Sequence, residues 1–260
     1  MTTDEELWRE ALDFRIEECL GFWSRFVITF PFGRMIELHP HDGPCIVMDA
    51  NLERWTPAEV LGEVEQVVAR LGLRCGFQFS SAWRGDVAAF RAHLIVNGYQ
   101  PVLDAYWMIK EDFSDIDAIA ESNLIIDRSP DSATIKDLFR KTLNSSEAVA
   151  DRLKRRLDRG GPIDVGYVVA RTQSGEPVAF SGYSQRGPIC HFQTMGTLPE
   201  HRRSGAARHM AKVRYQMMRD RGIKWSFAWV AKQNVPSFEH SKALGLRVFQ
   251  ETSLWVRRDG

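Results

Sequence analysis

The segment PEHRRSGAARHM, Pro199–Met210, combines residue types suited to binding an anion at the start of a helix. Two adjacent arginines are followed by a serine, a glycine and two alanines. The first backbone N–H groups of a helix have no partner within it, and the positive end of the helix dipole lies there. Small side chains let a phosphate oxygen approach several of these N–H groups at once. The segment therefore predicts a phosphate site.

Positive charge is concentrated in and after this segment. Eight lysines and arginines and two acidic residues lie between Glu200 and Lys224, whereas the whole chain carries 34 basic and 34 acidic residues. A solvated basic helix face is the alternative interpretation. The patterns GxGxxG and GxxxxGK[ST] of other nucleotide sites are absent from the sequence.

The elements around the segment are predicted from apolar spacing. A strand at Ile189–Thr197 precedes it, and a helix with a stripe of small and apolar residues follows and stops at Gly222. Alternating aromatic residues then predict a buried strand from Trp225, and Gly245 ends the next helix. The chain thus places the segment between a strand and a long helix.

Arg202-Arg203-Ser204-Gly205-Ala206-Ala207 resembles the Arg/Gln-x-x-Gly-x-Gly/Ala loop of the GNAT superfamily of N-acetyltransferases. The predicted order of strands and helices from about Leu124 to Val256 is also similar to that fold. The resemblance implies an α/β fold with a mixed sheet, and acetyl-coenzyme A as cosubstrate without a metal. It implies that the loop holds the coenzyme pyrophosphate through backbone N–H groups.

The same resemblance implies further contacts with the coenzyme. The end of the strand before the loop offers backbone groups to the pantetheine and the thioester, and Asn234 matches an asparagine that reaches the pantetheine. The implied coenzyme-binding residues are Met195, Gly196, Thr197, Leu198, Arg202, Arg203, Ser204, Gly205, Ala206, Ala207 and Asn234.

The catalytic groups are less defined by the resemblance. Members of the family commonly carry a tyrosine, seven residues after the asparagine, that protonates the departing thiolate; here that position holds Ser241, which has no accessible acidic proton near neutral pH. The neighbouring Glu239 and His240 are candidates, with exposed helix-face residues as the alternative. His191 is a candidate base for the attacking amine, and a packed core histidine is the alternative.

The two halves of the chain repeat one another weakly at an offset of about 148 residues, which suggests duplication of one α/β unit. The counterpart of the phosphate loop is then NLERWTPAE, Asn51–Glu59, which has no glycine and carries acidic residues that repel a pyrophosphate. We expect two tandem GNAT-like domains: a reduced one at 1–115 without a coenzyme site, and an acetyltransferase domain at 122–260. The first domain is expected to form one side of the cleft that binds the acceptor.

Composition narrows the class of protein. With 44% hydrophobic and 26% charged residues the chain is typical of a globular protein. The N-terminus does not resemble a secretory signal and no apolar run is long enough to span a bilayer, so we expect a cytoplasmic protein. The four cysteines are too far apart for a disulfide framework, and His39-Pro40-His41 near Cys45 lacks a matching fourth ligand, so no metal site is expected.

The sequence therefore predicts an N-acetyltransferase that moves an acetyl group from acetyl-coenzyme A directly to a primary amine of a small molecule or peptide. A non-catalytic acyl-coenzyme A binding module is the alternative, and Ser241 is the feature that favours it. Nucleic-acid binding is a third hypothesis, supported by charge alone without a motif. We expect no nucleic-acid or membrane partner. The identity of the amine and the oligomeric state, for which a homodimer is one option, are open.

Overall fold

The computed structural model describes residues 3–22, 26–37, 44–160 and 163–257. The chain divides into two compact units. The first consists of Met1–Trp107, Val230–Val235 and Val248–Gly260, and the second of Met108–Trp229 and Pro236–Arg247. The domain limits predicted at residues 115 and 122 stay a prediction.

The elements follow the predicted order of strands and helices. Helices are α1 (Asp4–Phe22), α2 (Pro57–Leu71), α3 (Val87–Val96), α4 (Ser132–Leu143), α5 (Glu147–Arg159), α6 (Ala206–Asp220) and α7 (Val235–Ala243). Strands are β1 (Val27–Phe30), β2 (Gly33–Glu37), β3 (Cys45–Ala50), β4 (Cys75–Phe79), β5 (Tyr99–Lys110), β6 (Ile125–Asp127), β7 (Asp164–Arg171), β8 (Pro177–Arg186), β9 (Ile189–Thr197), β10 (Trp225–Ala231) and β11 (Arg247–Arg257).

The sheet of the first unit has the strand order β1-β2-β3-β4-β11-β5. β3 and β4 pair in parallel, and β4 pairs with β11 in antiparallel. Its core is aromatic: Phe77 contacts Phe90 at 5.2 Å between ring centroids and Tyr99 at 5.5 Å, both edge to face. Such pairs stabilise beyond the area they bury, by about 0.5–1.5 kcal/mol each.

The sheet of the second unit has the order β10-β9-β8-β7-β6, with β9 and β10 parallel and the other neighbours antiparallel. Side chains of α6 such as Met210 and Val213 pack on one face of the sheet with Met195 of β9. The next residue, Gly196, lies against Thr142 of α4. Successive residues of a strand point to opposite faces, so α4 and α6 cover the two faces.

The sequence predicts no disulfide framework, no membrane span and no metal site, and the described residues allow each prediction to be compared with the structure. Cys19, Cys45, Cys75 and Cys190 are free and buried. None of the helices among the described residues has the length and apolarity needed to cross a bilayer. Those residues also contain no group of three or more metal-binding side chains, while His39 and His41 lie outside them.

Candidate functional site

The connection from β9 to α6 is a tight turn with two residues of positive φ. A 3-10 turn spans Pro199–His201, Arg203 has φ 66°, and Gly205 has φ 83° with ψ 0°. Arginine adopts positive φ rarely, and such conformations cluster at functional sites. Gly205 is the N-cap of α6 and offers no side-chain oxygen to the helix. The start of α6 is therefore left without an internal cap.

The N–H groups at this helix start are available to a ligand. Within the described part of the chain, no N–H group from Ser204 to Arg208 donates a hydrogen bond to another residue. The adjacent side chains of Ala206 and Ala207 are methyl groups. A row of unpaired N–H groups at the positive end of a helix dipole binds anions.

The start of α2 in the first unit shows the opposite arrangement. Thr56 accepts a hydrogen bond from the Glu59 N–H at 3.3 Å, and the Glu59 carboxylate accepts one from the Thr56 N–H at 2.8 Å. Pro57 at the first helical position has no N–H to offer. This capping box satisfies the donors that a pyrophosphate would need, which supports the prediction that the first unit binds no coenzyme.

Much of the positive charge of α6 is paired with acids from other parts of the chain. Lys212 bonds Glu121 at 2.8 Å and Arg219 bonds Asp117 at 3.0 Å. Both acids lie between the two predicted domains, 1–115 and 122–260. Just beyond α6, Arg221 bonds Asp164 at 3.1 Å. The sequence count of eight basic and two acidic residues did not reveal this, because the partners are distant along the chain.

Three arginines keep their charge available at the helix start. Arg202, Arg203 and Arg208 are exposed, and none forms an ion pair within the described residues. Ser122 lies beside them, with its Cβ 3.3 Å from the position that a Cβ on Gly205 would take. The unpaired charge and the free N–H groups therefore coincide at one end of α6.

The strand before the loop has a free edge where the coenzyme is expected. Parallel pairing of β9 with β10 runs from Ile189 opposite Trp225 to Phe192 opposite Ala228. β9 continues to Thr197, and its pairing with β8 continues through Met195 and Gly196. Among the described residues, β9 makes no strand pairing on its β10 side beyond Phe192, and the predicted residues Met195 to Thr197 lie in this part of the strand. Leu198 follows the strand, and its N–H donates to the Val178 carbonyl.

The remaining predicted site residues lie on β9 and around α7. Asn234 directly precedes α7, in the segment Val230–Val235. His191 is buried and its ring stacks on Phe227 with a centroid distance of 4.6 Å. It points away from α6, because its neighbour Phe192 contacts Arg214 of α6. These contacts favour the core-histidine alternative for His191.

Of the three α7 candidates, the structure brings His240 to α6. The charges of Arg214 and Arg208 both act on its ring. Burial, followed by these two charges, lowers the pKa of His240 to about 4, and its Nε2 is buried without a hydrogen-bond partner. Glu239 is exposed, whereas Ser241 is buried and its carbonyl accepts hydrogen bonds from two later residues of the chain.

A measurable consequence of the half-buried His240 ring is a loss of stability in acid. The unfolded chain binds a proton at His240 below a pH of about 6.5, and the folded protein does so only near pH 4, so folding loses stability as the pH falls through this range. We expect His240→Gln to reduce this loss by about 2 kcal/mol. Urea unfolding at pH 7.5 and 4.5 measures it; equal losses in both proteins would contradict the burial of a neutral ring.

A protein family model and several solved structures match this chain. The model of the family described as "Acetyltransferase (GNAT) family" matches residues 133–245. A GCN5-related N-acetyltransferase from Kribbella flavida has a similar structure, with a TM-score of 0.67, 17% identity and 91% of each chain covered. A GCN5-related N-acetyltransferase from Sphaerobacter thermophilus has a TM-score of 0.63, 13% identity, and coverage of 77% of this chain and 67% of its own.

A third solved structure bears on the tandem organisation. It is a tandem GNAT protein from the clavulanic acid biosynthesis pathway, with a TM-score of 0.63, 14% identity, and coverage of 88% of this chain and 79% of its own. No curated protein matches the sequence. At these identities the similarity establishes the fold, and it confirms the predicted α/β class with tandem GNAT-like halves.

Proposed function

Residues 133–245 carry a domain of the acetyltransferase (GNAT) family, and from this premise we propose that the protein moves an acetyl group from acetyl-coenzyme A to a primary amine. The acceptor is a small molecule or peptide, and the transfer is direct. The observation that carries the proposal is the uncapped start of α6: within the part of the chain that the structure describes, the N–H groups of Ser204 to Ala207 are unpaired, and three arginines beside them form no ion pair.

The residues present fit a coenzyme with a pyrophosphate. The N–H groups from Ser204 to Ala207 hold its oxygens, and Arg202, Arg203 and Arg208 neutralise their charge. The edge of β9 from Met195 to Thr197 that faces β10 receives the amide groups of the pantetheine. When bound, the coenzyme supplies an acyl group already activated as a thioester.

Proton transfer is the part of the reaction for which this chain departs from its family. The amine nitrogen forms a bond to the acyl carbon as the carbon–sulfur bond breaks, so one proton leaves the nitrogen and one reaches the sulfur. Ser241 cannot supply a proton near neutral pH. His240, with its Nε2 unpaired and its ring neutral, is the α7 side chain suited to accept a hydrogen bond or relay a proton.

The alternative function is a non-catalytic acyl-coenzyme A binding module, and Ser241 is the residue that favours it. A protein that only binds the coenzyme needs no proton donor at this position, and Ser241 is 8% exposed. Both functions require the loop, so a binding measurement alone does not separate them.

Release of free thiol from acetyl-coenzyme A over a panel of primary amines tests the proposal. We expect amine-dependent release above the rate without protein, and Ser241→Ala is expected to keep kcat within about twofold, because general acid catalysis is typically worth 10²–10⁴-fold and this hydroxyl does not provide it. Coenzyme binding without release for any amine would favour the binding module. A large fall in kcat for Ser241→Ala would show that the hydroxyl takes part.

A further inference from the structure

Arg214 on α6 is a buried cation without a counter-ion. It is 5% exposed, and within the described residues no carboxylate pairs with it. Its Nη1 donates to the Gly182 carbonyl at 2.9 Å, its guanidinium lies 4.2 Å from the centre of the Phe192 ring, and its Nε has no partner. Burial lowers the pKa of this guanidinium, so the protein does not compensate the cost of enclosing it.

Two buried lysines of the same unit are each paired with an acid. Lys110, 4% exposed, bonds Asp115 at 2.7 Å, and Lys212, 9% exposed, bonds Glu121 at 2.8 Å. A buried charge is ordinarily paired, because its desolvation is costly. Arg214 differs from these two lysines, and its guanidinium is able to pair with a carboxylate supplied from outside the chain.

Further unpaired polar groups lie on the strands and helix around Arg214. Three buried polar atoms make no hydrogen bond to any residue that the structure describes: the hydroxyl oxygens of Ser181 on β8 and Ser226 on β10, and the Nε2 of His240 on α7. Ser181 directly precedes Gly182, and Ser226 pairs in register with Cys190, on which the Arg214 charge acts. Each of these groups is able to donate a hydrogen bond.

The position of this set relates it to the proposed reaction. Arg214 lies over Phe192, the last residue of β9 that pairs with β10. The two strands lose their pairing from this point toward the loop, which is the region where the pantetheine is expected. The buried cation therefore lies at the closed end of the gap between β9 and β10, close to where an acyl group on the coenzyme would end.

We propose that Arg214, with His240, binds a carboxylate carried by one of the two substrates. The carboxylate is either the free end of a dicarboxylic acyl group on coenzyme A or that of an amino-acid acceptor. This rests on the proposed acyl-transfer function and narrows its substrate class. An arginine with neutral hydrogen-bond donors and no nearby acid is suited to a carboxylate and not to an amine.

Paired ligands that differ only in the carboxylate test the inference by titration calorimetry, independently of turnover. For the donor, succinyl-coenzyme A is compared with 4-methylpentanoyl-coenzyme A, in which a branched alkyl end replaces the carboxylate. For the acceptor, L-amino acids are compared with their amides in the presence of coenzyme A. Each pair is measured with the wild-type protein, Arg214→Met and Arg214→Lys.

The expected result is a preference for the carboxylated member of one pair, which identifies its source. Arg214→Met should reduce that preference by about 30-fold while changing binding of the neutral member by less than about threefold, and Arg214→Lys should restore part of it. Equal binding of both members of both pairs by the wild-type protein would overturn the inference. So would an equal loss for all ligands together with a lower Tm, which is the mark of a structural role.

The outcome is distinguishable from failure of the proposed function. If carboxylate preference depends on Arg214 but no thiol is released with any amine, acyl transfer fails and the carboxylate site stands. If thiol is released and the preference is absent, acyl transfer stands and the carboxylate site fails.

Discussion

Replacing Arg208 by glutamate raises the Kd for coenzyme A by about 10²–10³-fold, because reversing a charge that contacts a bound polyanion removes an attraction and adds a repulsion. Arg208 occupies the third position of α6, the position that Glu59 occupies in α2. A glutamate there also reaches back toward the helix start and takes up an N–H group, as Glu59 does in its capping box. Titration calorimetry with coenzyme A measures the change.

The matched control is Arg54→Glu, an exposed residue in the counterpart segment of the first unit that makes the same change in net charge. The Kd of this variant for coenzyme A should stay within about twofold of wild type, because Arg54 is not part of the helix start that the proposal assigns to the coenzyme. An equal loss in both variants would mean that coenzyme A responds to net charge alone. An unchanged Kd for Arg208→Glu would remove the α6 start from the coenzyme site.

Replacing Gly196 by alanine lowers the free energy of unfolding by about 1–3 kcal/mol, the usual cost of forcing an extra carbon into a packed interior. A Cβ on Gly196 would lie 2.7 Å from both Thr142 Cβ and the Phe180 ring, and closer still to the Thr142 hydroxyl oxygen. That hydroxyl cannot turn aside freely, because it donates to the Leu138 carbonyl at 2.7 Å. Urea unfolding measures the loss, and the same displacement of β9 from α4 should weaken coenzyme binding.

A second substitution separates crowding from other effects at Gly196. Thr142→Ala removes the nearest atom, so the double variant should recover part of the lost stability. Gly62→Ala in α2, where a Cβ would meet nothing within 4 Å, should be neutral or stabilising by up to about 1 kcal/mol. If Gly196→Ala unfolds at the wild-type urea concentration, α4 does not pack against this strand as described.

The phosphate loop was predictable because its information is local. Glycine at the N-cap, small residues in the first helical turn and arginines before them all fall within one short segment, Arg202–Arg208. The cap of α2 was predictable for the same reason, since Thr56, Pro57 and Glu59 specify it within four residues. A few consecutive residues decide whether the first N–H groups of a helix are hydrogen-bonded by a cap. They therefore decide that the start of α6, and not the start of α2, is able to bind an anion.

The charge around α6 and the division of the chain were not predictable in this way. Asp117 and Glu121 are more than 90 residues before the cations that they pair with. The first compact unit includes Val230–Val235 and Val248–Gly260, so no single cut along the sequence reproduces it. Both features depend on contacts between distant segments, which spacing and composition do not encode.

The catalytic candidates show the same limit. The spacing after Asn234 identified Ser241 as a departure from the family. The side of the sheet on which His191 lies depends on strand register, which the sequence does not give. Its stacking on Phe227 is therefore seen only in the folded structure. Arg214 was counted in the sequence as one more basic residue of a helix. Its burial without a carboxylate distinguishes it from Arg219, five residues later, which is paired at the surface.

The central claim is that main-chain amides at the start of α6 hold the coenzyme diphosphate, and backbone amide resonances report on it directly. Titrating coenzyme A into ¹⁵N-labelled protein should shift the amide protons from Ser204 to Ala207 downfield and saturate at one coenzyme per chain, with the amides of Thr56 to Glu59 unchanged. Unchanged resonances from Ser204 to Ala207 at saturation, or equal shifts at both helix starts, would contradict the account.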